Sequence, residues 1–117
     1  MTGQQLSLPT RTRADEIRDA FLAFHKQNPM VWQLFKRFTF ELINAGHKHY
    51  SARAVIHRIR WHTAVDTVDT GDFPEGLKIN DHYSPWYARA FMKKFPQHEG
   101  FFRNRKLTSA ADLPRDW

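Results

Sequence analysis

Apolar residues recur every three or four positions in four stretches of this chain, and that spacing predicts amphipathic helices. The first helix is predicted to begin at Thr12, because a threonine followed by an acid three residues later forms a capping box. It should end before Pro29, since the residue preceding a proline avoids the α region of backbone space. Its apolar stripe consists of Ile17, Phe21 and Phe24.

A second helix is predicted from the cap residue Asn28 to about Ala45. Pro29 occupies its first position, which proline favours, and Gly46 is its expected stop. Its main stripe consists of Val31, Leu34, Phe35, Phe38, Leu42 and Ala45. Further apolar residues outside that stripe are Trp32, Phe40 and Ile43. We therefore expect this helix to be the most buried one.

The stretch from Tyr50 to Val65 predicts a third helix with two chemically different faces. Ser51 stands at the N-cap position, where its hydroxyl can accept from a free N–H of the first turn. The apolar face consists of Ala52, Val55, Ile56, Ile59 and Thr63. The opposite face carries Arg53, His57 and Arg60, with Arg58 and Trp61 on its flanks. We expect one side to pack on the core and the arginine-bearing side to meet a partner.

Residues 66–81 are acidic, and two short apolar runs in them predict a β-hairpin. Val68 and Leu77–Ile79 are the predicted strands. The carboxylates of this segment are Asp66, Asp69, Asp72, Glu75 and Asp81, against the single lysine Lys78.

Ser84 followed by Pro85 repeats the cap-then-proline pattern and predicts a further helix, which Pro96 ends. Its stripe consists of Tyr87, Ala88, Phe91, Met92 and Phe95. A short turn carrying Phe101 and Phe102 is expected after it.

This order of elements is typical of a winged helix-turn-helix protein, in which the helix after the turn enters the DNA major groove. We therefore predict a mainly α fold with a short β-hairpin, in one winged helix-turn-helix-like domain over residues 12–107. Residues 1–11 are predicted to be a mobile arm, and residues 108–117 a polar tail.

The charge of the chain narrows the class of partner. Lys and Arg outnumber Asp and Glu by 18 to 12, a net charge of +6 in 117 residues. Such a surplus favours nucleic acid, an anionic membrane surface or an acidic protein, although it also serves solubility alone. No stretch approaches the roughly 20 apolar residues of a membrane span, and no signal peptide is evident, so we expect no membrane partner. The aromatic content allows a homodimer.

Basic residues that could contact nucleic acid fall into three groups. Arginine can donate two hydrogen bonds to guanine, so the predicted base contacts are Arg53, His57, Arg58 and Arg60. The predicted phosphate contacts are His47, Lys48 and His49 in the loop, and Arg89, Lys93 and Lys94 on the last helix. The alternative is that these are merely solvated faces. The acidic wing argues against groove binding, because its carboxylates would repel phosphates. Either the hairpin points away from the nucleic acid, or the arginine helix pairs with carboxylates inside the protein or in a partner.

No catalytic or metal constellation stands out in the sequence. The absence of cysteine excludes disulfides and cysteine-based zinc sites. A nuclease hypothesis would use His82 as general base and Asp81 as metal ligand, but no further residues complete such a site at a recognisable spacing. We predict no enzyme activity, no metal and no cofactor.

Three stretches carry a resemblance to known proteins. They are Phe21-Leu-Ala-Phe-His-Lys-Gln-Asn-Pro29, then Ile56-His-Arg-Ile-Arg-Trp61, then Leu77-Lys-Ile-Asn-Asp-His-Tyr83 with Tyr87-Ala-Arg89. Together they resemble a group of small proteins of tailed bacteriophages and prophages, with a departure at Asp81, where the group more often has asparagine. The resemblance implies a bacterial cytoplasm and no particular activity.

A phage setting favours a DNA-binding regulator or an inhibitor of a host machine such as a defence nuclease. Our first hypothesis is a non-enzymatic phage or prophage protein that binds nucleic acid, duplex DNA above all, through the basic helix 51–65. The alternative is a phage-encoded inhibitor that binds a host or defence protein. A small metal-dependent nuclease is the third.

Overall fold

A computed structural model describes residues 12–65 and 77–103. Within these ranges the chain forms helices α1 (Arg13–Gln27), α2 (Pro29–Asn44), α3 (Ala52–Val65) and α4 (Ser84–Lys94). Two single 3-10 turns, Asp81–Tyr83 and Pro96–His98, precede and follow α4. None of the helices described here combines the length and the apolar character that crossing a bilayer requires.

Two of the four predicted helix starts, at Thr12 and Ser51, are confirmed by their hydrogen bonds. The Asp15 N–H donates to the Thr12 hydroxyl at 3.0 Å, and the Asp15 carboxylate accepts from the Thr12 N–H at 3.2 Å, which completes the capping box. The Ala54 N–H donates to the Ser51 hydroxyl at 3.3 Å. Ser84 differs from its predicted role, because it is the first residue of α4 rather than its cap.

The junction between α1 and α2 uses Asn28 in an unexpected way. Asn28 occupies the N-cap position of α2, but its side chain makes no capping bond there. Its amide instead donates to the Phe24 carbonyl at 3.1 Å, so it closes the end of α1.

Gly46 ends α2 as predicted. Its φ is +101°, a backbone angle that glycine adopts readily and that residues with a Cβ adopt rarely. The Gly46 N–H donates to the Ile43 carbonyl at 3.0 Å and the His47 N–H to the Leu42 carbonyl at 3.1 Å. This pair of bonds is a Schellman motif, which satisfies carbonyls that the helix end leaves open.

The core is aromatic and centres on α4. The ring of Tyr87 contacts Phe21 edge-on with centroids 4.7 Å apart and stacks on Phe35 at 5.4 Å. Phe102, from the chain beyond α4, closes the other end against Phe91 and Phe35. The predicted stripes of all four helices face this core, except for Ala45, which is exposed at the end of α2.

The expectation that α2 is the most buried helix is wrong. Six of the 11 residues of α4 are buried, against five of the 16 residues of α2. The reason is that α4 packs against α2, α3 and both 3-10 turns, so little of its circumference faces solvent.

The winged-helix prediction is also wrong, because the described residues contain no β-strand. Leu77 and Ile79 are buried, but they extend alongside α3 and do not pair with a strand. The buried N–H of Leu77 donates to the Thr63 side chain at 2.8 Å, which removes its need for a strand partner. The predicted strand at Val68 lies outside the described residues, as do the arm 1–11 and the tail 108–117.

The link between α2 and α3 is also longer than a helix-turn-helix requires. Residues 45–51 form it, whereas that motif uses a turn of about three or four residues. Tyr50 makes an isolated parallel bridge to Phe102, with the Tyr50 N–H donating to the Phe101 carbonyl at 3.2 Å. The link is therefore attached to the chain after α4.

Candidate nucleic-acid interface

Helix α3 divides as predicted into a buried and an exposed face. Its buried residues are Val55, Ile56, Ile59 and Thr63. All four predicted base-contacting residues are exposed: Arg53, His57, Arg58 and Arg60. The apolar spacing alone determines this division, because residues three and four apart lie on one side of a helix.

Asp81 pairs with two of these four residues. Its carboxylate lies 3.0 Å from an Nη of Arg53 and 3.6 Å from Nε2 of His57. Arg53 and His57 are one helical turn apart, so a single carboxylate reaches both. Two of the four residues predicted to contact bases are therefore paired with one of the protein's own acids.

The position of Asp81 is set by the 3-10 turn that begins with it. The Asn80 side-chain oxygen caps this turn by accepting from the His82 N–H at 2.9 Å. The sequence left open whether the arginine helix pairs with the protein's own carboxylates, and Asp81 is the residue that forms these pairs.

Arg58 occupies the edge of α3 that faces α2. Its guanidinium lies over the ring of Phe38, 4.4 Å from the centroid, in a cation–π contact that orients the side chain. A shallow cavity of about 230 Å³ adjoins it. The cavity lining is Phe38, Glu41, Leu42, Tyr50, Ala54, Val55 and Arg58.

Arg60 occupies the opposite edge of α3. It lines an open cavity of about 340 Å³ beside the segment that returns to α4. The other lining residues are Phe24, Lys78, Ile79, Asn80 and Tyr83. Lys78 is a further cation of this surface, which the sequence analysis placed in the acidic segment 66–81 and did not predict as a contact.

Trp61 stands between these two edges, and 64% of its surface is exposed. His57 and Arg58 precede it by four and three residues, so all three share one face of the helix. Val65, one turn further on, is 46% exposed. The sequence predicted Trp61 on a flank of the arginine-bearing face, whereas the degree of its exposure is a result of the packing.

The predicted phosphate contacts of the loop are exposed but tied to their neighbours. His47 contacts the ring of Tyr50 with centroids 5.2 Å apart. His49 Nδ1 lies 3.3 Å from the Gly100 carbonyl oxygen. Lys48 lies between them and is exposed. The loop therefore directly precedes α3, as predicted, and is held against the turn after α4.

The basic residues of α4 are placed differently from one another. Arg89 is only partly exposed, and its guanidinium lies 5.7 Å from the ring centroid of Trp86. One of its Nη atoms is buried without a hydrogen-bond partner among the described residues. Lys93 and Lys94 are exposed in the last turn of α4. Their positive charges are stabilised there by the negative end of the helix dipole. Arg89 is therefore not part of the exposed basic surface.

The geometry around Asp81 and His82 does not favour the nuclease hypothesis. The Asp81 carboxylate is already paired with Arg53, and a cation at that position competes with a metal ion for it. Within the described ranges, no group of three or more potential ligand side chains is close enough to hold a metal ion.

Comparison with known proteins gives no relative from which to infer a role. No protein-family model, curated protein or solved structure matches this chain.

Proposed function

We propose that this protein binds nucleic acid through one patch, the α3 surface, composed of Arg58, Arg60, Trp61 and Lys78. The observation that carries the proposal is the exposure of Trp61, at 64%, between arginines on both edges of the helix. Exposed aromatic rings among cations are the features with which proteins bind nucleic-acid strands.

The charges of this surface suit a polyanion. Among the described residues, neither Arg58 nor Arg60 forms an ion pair, so their guanidinium groups can donate to phosphate oxygens. Lys78 adds a third permanent cation beside Arg60. The net charge of +6 adds long-range attraction for an anionic strand.

The structure does not favour reading of bases in the groove of a duplex. That prediction depended on a winged helix-turn-helix, which the fold contradicts. It also depended on unpaired Arg53 and His57 side chains, and both face Asp81. Phosphate and base-face contacts do not require that fold.

A salt series tests the proposal. Fluorescence anisotropy of labelled oligonucleotides should show that the logarithm of the binding constant falls linearly with the logarithm of salt concentration, with a slope of about −0.7 to −0.9 per phosphate contact. Arg58→Glu and Arg60→Glu should each weaken binding and reduce the slope by about one. Arg13→Glu makes the same charge change on the exposed first turn of α1 and serves as the matched control.

The outcome that would refute the proposal is specific. Affinity that does not respond to salt, or that falls equally in Arg13→Glu and Arg58→Glu, would show that the α3 surface does not bind phosphates. Circular dichroism of each variant verifies that the helices are retained.

A protein partner is the second candidate, and the exposure of Trp61 and Val65 favours it. Tryptophan and arginine are the residues that most often dominate protein interfaces. This alternative corresponds to a phage-encoded inhibitor of a host or defence protein in a bacterial cytoplasm, a setting that remains a prediction from the resemblance. Capture of one acidic partner that is lost on Trp61→Ala, together with no oligonucleotide binding, would favour it.

A further inference from the structure

We infer that the α3 surface binds unpaired nucleotides in preference to duplex, with a base stacked on Trp61 and the flanking phosphates on Arg58 and Arg60. This inference rests on the proposed function and specifies its ligand. It replaces duplex DNA, which the basic helix alone suggested, as the preferred form of nucleic acid.

The exposure of the Trp61 indole selects for unpaired bases. In a duplex each base face is covered by the neighbouring base pairs, so a ring on the protein surface has no base face to contact without unstacking the helix. In a single strand the faces are accessible, and every base has one. A surface tryptophan that is 64% exposed therefore gains more contact from a single strand than from a duplex.

The cations lie where a strand passing over Trp61 would place its phosphates. Arg58 is one turn before Trp61 and is oriented by its contact with Phe38 at 4.4 Å. Arg60 is adjacent to Trp61 and opens onto the cavity of about 340 Å³ that also contains Lys78. Phe24 and Tyr83 contribute aromatic rings to the same cavity, so its lining combines charge with apolar faces. That combination matches a nucleotide, which has an anionic backbone and a flat base.

Asp81 adds a reason why a rigid duplex fits poorly. Its carboxylate lies beside the N-terminal half of α3, within 3.6 Å of both Arg53 and His57. A straight duplex laid along the helix would bring phosphates near this carboxylate, and like charges repel at short range. A flexible strand can bind at Arg58, Arg60 and Trp61 and turn away from Asp81.

Competition between the two forms of DNA tests the inference. A labelled oligothymidylate of about 12 nucleotides, which matches common site sizes, is the single-stranded probe. Relaxed, covalently closed plasmid is the duplex competitor, because it has no unpaired ends. We expect unlabelled oligothymidylate to displace the probe at lower nucleotide concentration than the plasmid does.

Variants of Trp61 separate stacking from charge. Trp61→Ala should weaken oligothymidylate binding roughly 5- to 150-fold, the range measured for loss of a stacking ring. Trp61→Phe keeps an aromatic face and should retain most of the affinity. Met30→Ala removes a 40% exposed apolar side chain from α2 and serves as the control. Binding should also quench tryptophan fluorescence in the wild type more than in Trp61→Phe.

The results distinguish this inference from the function on which it rests. Equal displacement by plasmid and oligothymidylate, with Trp61→Ala binding as the wild type does, would overturn the stacking inference but leave nucleic-acid binding. Absence of salt-sensitive binding to either form would overturn both. Preference for the single strand, lost in Trp61→Ala and kept in Trp61→Phe, supports the inference.

Discussion

Leu77 donates its backbone N–H to the Thr63 hydroxyl at 2.8 Å, and the same hydroxyl donates to the Arg60 carbonyl at 2.9 Å. Thr63 is fully buried and Leu77 is 8% exposed. The Thr63 side chain of α3 thus provides the acceptor for the buried Leu77 N–H, in the segment that leads to α4. It fixes this segment beside the basic face, where Lys78 and Asp81 follow.

Loss of this hydroxyl should destabilise the fold. Thr63→Val preserves the side-chain shape but leaves the Leu77 N–H buried without an acceptor, so we expect the free energy of unfolding to fall by about 1–3 kcal/mol. Thr63→Ser keeps the acceptor and should lose only about 1 kcal/mol, for the missing methyl. Urea unfolding of both variants measures the difference. A valine variant at least as stable as the serine variant would contradict the role of this hydrogen bond.

Removing the charge of Asp81 should strengthen nucleic-acid binding. Asp81→Asn keeps the size of the side chain, frees Arg53 from its ion pair and removes a carboxylate that repels phosphate. One close charge interaction in water is worth about 1 kcal/mol, so we expect a gain of roughly fivefold in duplex affinity at low salt, and a smaller gain for a single strand, which can turn away from Asp81.

The control for this gain is Glu16→Gln, which makes the same charge change on α1, where Glu16 lies 3.6 Å from Arg13. Anisotropy titrations compare the two variants. Unchanged or weaker duplex binding in Asp81→Asn would contradict the prediction, because it would mean that a duplex does not approach the N-terminal half of α3.

The Tyr87 hydroxyl should make the protein sensitive to high pH. Burial raises the pKa of Tyr87 far above its usual value, and the neighbouring Tyr83 raises it further. Its neutral form is therefore favoured in the folded state, while the unfolded chain releases the proton at about pH 10. Ionisation of Tyr87 therefore has no effect on the stability of the fold below about pH 10. Above that pH the free energy of unfolding falls as the pH rises toward the folded-state pKa.

Between the pKa of Tyr87 in the unfolded chain and its pKa in the folded protein, this group should lower the free energy of unfolding by up to about 1.4 kcal/mol per pH unit. Urea unfolding from about pH 8 to pH 11 should show a shallower alkaline decline in Tyr87→Phe than in the wild type. Tyr50→Phe removes the same group from an exposed position and is the matched control. Identical pH slopes in the wild type and Tyr87→Phe would contradict the prediction.

A side chain at Gly46 should cost stability through backbone strain alone. Its φ is +101°, and an added Cβ would have no atom within 4 Å, so no steric clash contributes. We expect Gly46→Ala to lose about 1–2 kcal/mol and Gly46→Asn to lose less, since asparagine tolerates positive φ better. Thermal unfolding of the two variants ranks them. Alanine that is tolerated as well as glycine would show that α2 can end differently.

The sequence by itself determined the helices and their buried faces. The capping box at Thr12, the cap at Ser51 and the stop at Gly46 were predictable because each acts within one or two helical turns. The apolar stripes were predictable for a related reason, since helical geometry relates spacing along the chain directly to position around it. These local rules also placed Arg53, His57, Arg58 and Arg60 on the exposed side of α3.

Only the tertiary structure decided which of those cations stay available to a ligand. Asp81 is 28 residues from Arg53 along the chain, and no local pattern relates a 3-10 turn to a helix at that separation. Leu77 and Ile79 are residues typical of a strand, yet their side chains are buried in the core without one. The Thr63 hydroxyl accepts the Leu77 N–H that a neighbouring strand would otherwise have bound. The exposure of Trp61 likewise depends on where α2 and the returning chain stop covering α3. These features depend on contacts between segments that are far apart along the chain. Local sequence patterns do not show which distant segments will pack together.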